Sequence, residues 1–210
     1  GALLMPAARG AEEEHEEEVG PGEDLMREHG VLNRTLLVYE ECVRRVGAQE
    51  DLDPKVIVGA ADVIRTFIED YHEKMEEQHL FPRFRQGGSL TELVDVLQRQ
   101  HDAGRALTDR IRGLATLEAI RNPDDSRKLT DAIAQFIRMY RPHEAREDTV
   151  LFPALHRMLS ESEYEELGEQ FEGEEHRRFG EGGFAEYVEK VGALEKTVGI
   201  NDLDRFTPKL

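Results

Sequence analysis

HEKMEEQHLFP, from His72 to Pro82, and HEAREDTVLFP, from His143 to Pro153, are two copies of one pattern. Both read H-E-x-x-E-[DE]-x-x-L-F-P. Each is preceded by Phe-Ile-x-x-Tyr, from Phe67 to Tyr71 in one case and from Phe136 to Tyr140 in the other. Residues four apart on a helix share a face and lie about 6 Å from each other. His72 with Glu76, and His143 with Glu147, therefore each present an imidazole nitrogen and a carboxylate oxygen to one side. Two more histidines keep the same register, His29 lying 43 residues before His72 and His101 lying 42 before His143. Two helix hairpins related by a pseudo-two-fold axis account for that spacing.

Outward from the repeat, the chain divides by its punctuation. A first helix runs from about Asp24 to Val46, stopped by Gly47. A second begins near Pro54, suited to a first helical turn, and continues to Gln86 before Gly87-Gly88. Ser89 with Glu92 reads as a capping box opening the third helix. That helix ends before Asn122-Pro123, where the fourth begins. Ser160 with Glu163 repeats the capping signature and opens a shorter fifth helix to about Phe179, and an amphipathic piece spans about 184–198. Short links between long helices make antiparallel neighbours. The expected fold is all-α, an up-down-up-down antiparallel four-helix bundle with a short fifth helix and a C-terminal amphipathic segment. The expected divisions are a flexible acidic leader at 1–22, the bundle at 23–159, and a helical extension and tail at 160–210.

The apolar stripes place the histidines inward. One face of the first helix carries Leu25, His29, Leu32, Leu36, Tyr39, Val43 and Val46, and the second carries Ile57, Ala61, Ile64, Ile68, His72, then Met75 or Glu76. The third carries Leu90, Val94, Leu97, His101, Gly104, Thr108, Ile111 and Ala115. The fourth carries Leu129, Ile133, Phe136, Tyr140, His143, Glu147 and Val150. All follow the 3–4 alternation of one helical face. Neighbouring helices sit about 8–10 Å apart, so side chains from four of them can meet. A buried unpaired carboxylate costs several kcal/mol, against a net stability of about 5–15 kcal/mol for a domain. Bound cations turn that cost into binding energy. Mixed N/O donors suit iron and manganese, with zinc as a further substitute.

Composition bounds the alternatives. A net charge of −18 argues against neutralising nucleic-acid phosphates. The single cysteine, Cys42, rules out an intrachain disulfide or an iron–sulfur cluster. No apolar stretch approaches the roughly 20 residues of a membrane span. Between Glu12 and Asp24 stand eight acids and no Lys or Arg, the signature of a solvated leader. The preceding 1–11 stretch, apolar and then small, reads either as the remnant of an export signal or as a plain flexible end. The first reading makes the protein exported or periplasmic, the second cytoplasmic, and both make it soluble.

These residues resemble the hemerythrin family in its bacterial HHE cation-binding branch, over about Asp24 to His156. The resemblance implies a non-heme di-iron centre, two Fe ions bridged by oxo or hydroxo groups and by carboxylates. By position it implies His29, His72, Glu76, His101, His143 and Glu147 as metal ligands, with Glu76 and Glu147 bridging. It implies a small ligand (O2, NO or H2O2) that is bound, sensed or, in a catalase-like activity, decomposed. The alternative is an iron-binding or iron-sensing module without turnover, read by a protein partner. One departure is marked: oxygen carriers have H-x-x-x-H on the third helix, and here Arg105 follows His101 by four. Glu73 and Glu144 are candidate replacements, and the pattern is similar to an iron-sensing domain of a eukaryotic ubiquitin ligase. Arg105 is also a candidate guide for an anionic oxygen ligand, and His176 a candidate cap on the site. Glu76-x-x-His79 forms one ferritin-like E-x-x-H, without a partner on the fourth helix. Tyr71, Tyr140, Phe81-Pro82 and Phe152-Pro153 are expected to serve packing, the prolines ending or bending their helices.

Overall fold

A computed structural model describes residues 19–210. The 1–11 stretch with its export-signal reading, and the acidic run up to Glu18, lie outside the described residues. Helix α1 spans Pro21–Ala48, starting earlier than expected because Pro21 itself takes the first helical position, with Glu23 and Asp24 in the first turn. Proline has no N–H to lose there, and acids favour that end of the helix dipole. Gln49, in the left-handed region at φ 56°, closes α1.

Helix α2 is continuous from Pro54 to Gly87 but changes its winding. It is α-helical over Pro54–Val63, widens to π turns over Ile64–His72 and again over Glu76–Leu80, and returns to α at Glu73–Met75 and Phe81–Gly87. Helix α3 spans Thr91–Leu114, a short α4 spans Leu117–Arg121, and α5 runs over Pro123–Arg146, a π turn at Glu147–Leu151 and Phe152–Met158. Among the described residues there are no strands. The bundle is α1, α2, α3 and α5, with α1 packed on α2 and α5, and α3 on α2 and α5. No described helix is long and apolar enough to cross a membrane.

Three local expectations are corrected. The Ser89 capping box does not form: Leu90 takes the cap position at φ 51°, with no side-chain cap bond, and packs against the core. Packing a part-buried leucine against the core at that corner wins over a hydroxyl cap worth about 1 kcal/mol. The third helix stops at Leu114, and α4, capped by the Thr116 side chain, intervenes before Asn122 caps α5. The Phe-Pro pairs do not end their helices. The turn just before each proline widens instead, so that Phe81 N–H donates to the Glu76 carbonyl and Phe152 N–H to that of Glu147. A proline cannot supply the i→i−4 donor, and a π turn absorbs that loss while re-aiming the residues within it.

The capping box at Ser160 and Glu163 does form, opening α6 (Glu161–Phe179). After a single 3-10 turn, α7 (Gly183–Val198) folds back on α1 and α2. Phe67, Tyr71, Phe179, Phe184 and Tyr187 form one aromatic cluster beneath it, with Phe67 and Tyr187 stacked at 4.4 Å. Arg34 closes the edge on Glu195 with two bonds of 2.8 and 2.6 Å. Ser160→Ala removes the hydroxyl half of the cap and leaves the backbone N–H of residue 160 donating to Glu163. It is expected to cost about 1 kcal/mol, read as a lower denaturation midpoint with an unchanged denaturant slope.

Candidate metal centre

The four stripe histidines and two motif glutamates converge in the middle of the bundle, all of them buried. His29, His72, Glu76 and Glu147 form one group, and His101, His143 and Glu147 another, with the donor atoms of each within 4.8 Å of one another. Glu147 faces His29 Nε2 at 3.4 Å through one oxygen and His143 Nε2 at 3.2 Å through the other. Glu76 Oε2 lies 3.4 Å from His101 Nε2 and 3.8 Å from His72 Nε2. Each carboxylate therefore spans both histidine pairs. Helical periodicity alone delivers the i, i+4 partners, and the π turns at Glu76–Leu80 and Glu147–Leu151 begin on the two glutamates.

The outer nitrogen of every one of these rings is held by an acceptor. His29 Nδ1 meets Asp148 at 2.7 Å, His72 Nδ1 meets Glu28 at 2.5 Å, His101 Nδ1 meets Glu77 at 3.2 Å, and His143 Nδ1 meets Gln100 Oε1 at 2.9 Å. Such a partner fixes the proton on Nδ1 and turns the Nε2 lone pair to the centre. The holders obey the pseudo-symmetry. The residue before the α1 or α3 histidine (Glu28, Gln100) holds the motif histidine of its own hairpin. The residue after each motif glutamate (Glu77, Asp148) holds the single histidine of the other hairpin. Two stacked phenylalanines finish the pattern, Phe152 on His29 at 5.5 Å and Phe81 on His101 at 5.4 Å.

Inside this frame only acceptors meet. His101 Nε2 and His143 Nε2 face each other at 3.2 Å, and both oxygens of Glu76, both of Glu147, and His72 Nε2 are buried with no hydrogen-bond partner. Buried polar groups are nearly always paired, and lone pairs converging without a hydrogen between them call for a positive charge. The electrostatics show the same demand. Burial, then the Glu147 charge, push the Glu76 carboxyl well up. Burial works against the Glu147 charge too, but His143 and His29 outweigh it and hold that carboxyl down. Burial likewise opposes a charge on His29, yet Asp148 and Glu147 lift the ring up to about 10. Burial holds His101 down at about 4. With protein charges alone, one of two adjacent carboxylates is neutral and one imidazole charged. A cation shared by the set removes both requirements, and the residues present fit one.

The other sequence candidates go elsewhere. Glu73 is buried but turned to α3 and α5, accepting from Tyr140 Oη at 2.5 Å and pairing with Arg105 at 2.8 Å. It groups with Glu77 and His101 on the flank of the centre. Glu144 is buried and belongs to none of the His/Glu groups. Arg105 is no free guide for anions: its guanidinium is taken by Glu73, by Glu77 at 2.6 Å and by Asp102 at 3.3 Å. His176 is exposed on α6 and lines a surface cleft instead of capping the centre. His79 packs edge-on to Phe171. Tyr71 and Tyr140 are not equivalent, since Tyr71 adjoins His72 in sequence whereas Tyr140 stands three before His143.

Sequence reading missed Glu28, Glu77, Gln100 and Asp148. The acid in the sixth motif position, present in both copies, was the available signal for two of them. Asp148→Ala is expected to weaken metal binding by about 10–100-fold without unfolding the chain, because Asp148 is one-third exposed. Competition with a chelator of known affinity measures it.

The model of the hemerythrin HHE cation-binding domain matches residues 21–155. The chain is 49% identical over 195 residues to an uncharacterized protein of Mycobacterium bovis, covering 93% of this chain and 76% of that one. The same figures hold for uncharacterized proteins of two Mycobacterium tuberculosis strains. No solved structure matches the chain.

Proposed function

The chain belongs to the hemerythrin HHE cation-binding domain family, and we propose that its metal is a pair of iron ions serving to bind or sense a small oxidant. His29 and His72 would hold one iron and His101 and His143 the other, with Glu76 and Glu147 supplying carboxylate oxygens toward both. The observation that carries this reading is the meeting of imidazole Nε2 lone pairs with four unpartnered carboxylate oxygens. A set of nitrogen and carboxylate donors without thiolate suits iron or manganese, with zinc as a substitute. Two carboxylates shared by two divalent cations would also offset half of the cations' charge and reduce their mutual repulsion.

Bound there, iron supplies a redox-active cation able to take up O2, NO or H2O2. The protein supplies the surroundings. Phe81 and Phe152 cover His101 and His29 and keep water from the ring faces. Glu28, Asp148, Glu77 and Gln100 hold the donors in place before any ligand arrives. Arg105 offsets Glu73 and Glu77, which would otherwise add negative charge beside His101. Iron-loaded protein, reduced without air and then given O2 or NO, is expected to change its visible spectrum, and given H2O2 to remove it. An unchanged spectrum with no loss of peroxide contradicts the handling of oxidants.

Sensing of iron without turnover is favoured by what those same unpartnered buried carboxylates do in the iron-free chain, where they tie folding to the cation. On that reading the iron-free chain is cut by protease far faster than the loaded one. Equal resistance in both states rejects it.

A further inference from the structure

Outside the centre, a cleft of about 780 Å³ opens between the start of α1, α6 and the turn into α7, lined among others by Asp24, Arg27, Phe171, Glu175, His176 and Phe184. At its inner end the carboxylates of Asp24, Glu28 and Glu175 bring oxygens within 4.8 Å of one another. Acids this close are common on surfaces, but these are drawn inward from it. Glu28 is buried, and Asp24 and Glu175 are half-buried.

A second feature points to a ligand. Tyr71 Oη is buried, with its side chain 1% exposed, and has no hydrogen-bond partner. Burial, then the charges of Glu28, Glu175 and Asp24, push its hydroxyl up, as befits an oxygen beside those acids. Two of the acids are held in place for other reasons. Glu28 keeps one oxygen on His72 Nδ1, and Glu175 accepts from the Phe184 backbone N–H. The counter-charge at hand is Arg27, which meets Asp24 at only 3.9 Å and lies over the Phe184 ring. Three carboxylates and one loosely engaged guanidinium leave the pocket negative. Burial, then Glu28 and Glu175, push the Asp24 carboxyl up to about 7.

We propose that Asp24, Glu28 and Glu175, with Tyr71 Oη above them, form an accessory site for a divalent cation, separate from the His/Glu centre. Its donors are all oxygens, so it takes a hard, hydrated ion of the Mn2+, Mg2+ or Fe2+ kind, bound more weakly than a site with imidazoles. The cleft leaves room for the waters that complete such a shell. Glu28 joins the two sites, one end in the acidic pocket and the other on His72.

The full chain is loaded with iron, desalted and dialysed against Mn2+, with free Mn2+ read by electron paramagnetic resonance. About one Mn2+ per chain is expected beyond the iron, and none at the same concentration in Asp24→Asn/Glu175→Gln. Both substitutions keep shape and acceptor oxygens, and an unchanged circular dichroism spectrum confirms folding. Equal Mn2+ uptake by the two proteins, or none by the unsubstituted chain, overturns the site. A parallel arm uses Glu76→Gln/Glu147→Gln, which disables the centre and is expected to keep the accessory Mn2+. Failure of the di-iron reading shows as missing iron and leaves the difference caused by Asp24→Asn/Glu175→Gln intact.

Discussion

Glu147→Gln is expected to lower the chain's affinity for iron by more than about 100-fold. A residue that merely orients a donor is worth about 10–100-fold. Glu147 is itself a candidate donor to both half-sites, facing His29 with one oxygen and His143 with the other. The amide keeps the volume and one acceptor, so a loss cannot be put down to a cavity. In the iron-free protein the amide gives up a charge that His143 and His29 favour against burial, so the variant also melts somewhat lower without iron. Iron should still raise the melting temperature of the unsubstituted chain much more than that of the variant. Equal iron-induced shifts in the two would contradict the assignment.

Gly104→Ala is expected to destabilise by about 1–5 kcal/mol, although helix propensity alone favours alanine by about 1 kcal/mol. Gly104 sits mid-helix in α3 with the Tyr140 ring laid across it. A Cβ there would fall 2.8 Å from Tyr140 Cε2 and Cζ, and closer still to Oη. The ring must move, and it is stacked on Phe136 at 4.4 Å and donates to buried Glu73 at 2.5 Å. Overpacking of this kind costs about 1–3 kcal/mol, and an unpaired buried acceptor about 1–3 more. For a chain of this size the fall in melting temperature is roughly 10 °C. Tyr140→Phe isolates the hydrogen-bond share, and the double variant should lose less than the two single losses combined. A stabilised Gly104→Ala would show that Tyr140 does not lie where the structure puts it.

The sequence made the bundle readable because its chemistry is written at helical spacing. One histidine on each of four apolar stripes, repeated at near-equal intervals, is enough to bring His29, His72, His101 and His143 to one level. What escaped was everything that depends on the azimuth between helices. Asp148 and Glu77 follow their glutamates by one residue and so point about 100° away from them, which reads as a solvated direction. In the bundle that direction meets the neighbouring histidine. Arg105 stands in the register of the missing histidine, yet Glu73 and Glu77 close on it from α2 and remove it from the centre. The π turns were hidden because a proline within a helix signals a break, and the sequence does not say that a wider turn can replace one. Leu90 at the α3 cap shows packing against the core overriding a hydroxyl that fits the capping pattern.

All of this depends on cations sitting where the imidazoles meet. Elemental analysis of the full chain, purified after expression with ample iron, tests it most directly. The expected result is about two metal ions per chain, mostly iron, falling well below one in Glu76→Gln/Glu147→Gln. A folded chain carrying no metal, or the same metal content in both proteins, would contradict the central claim.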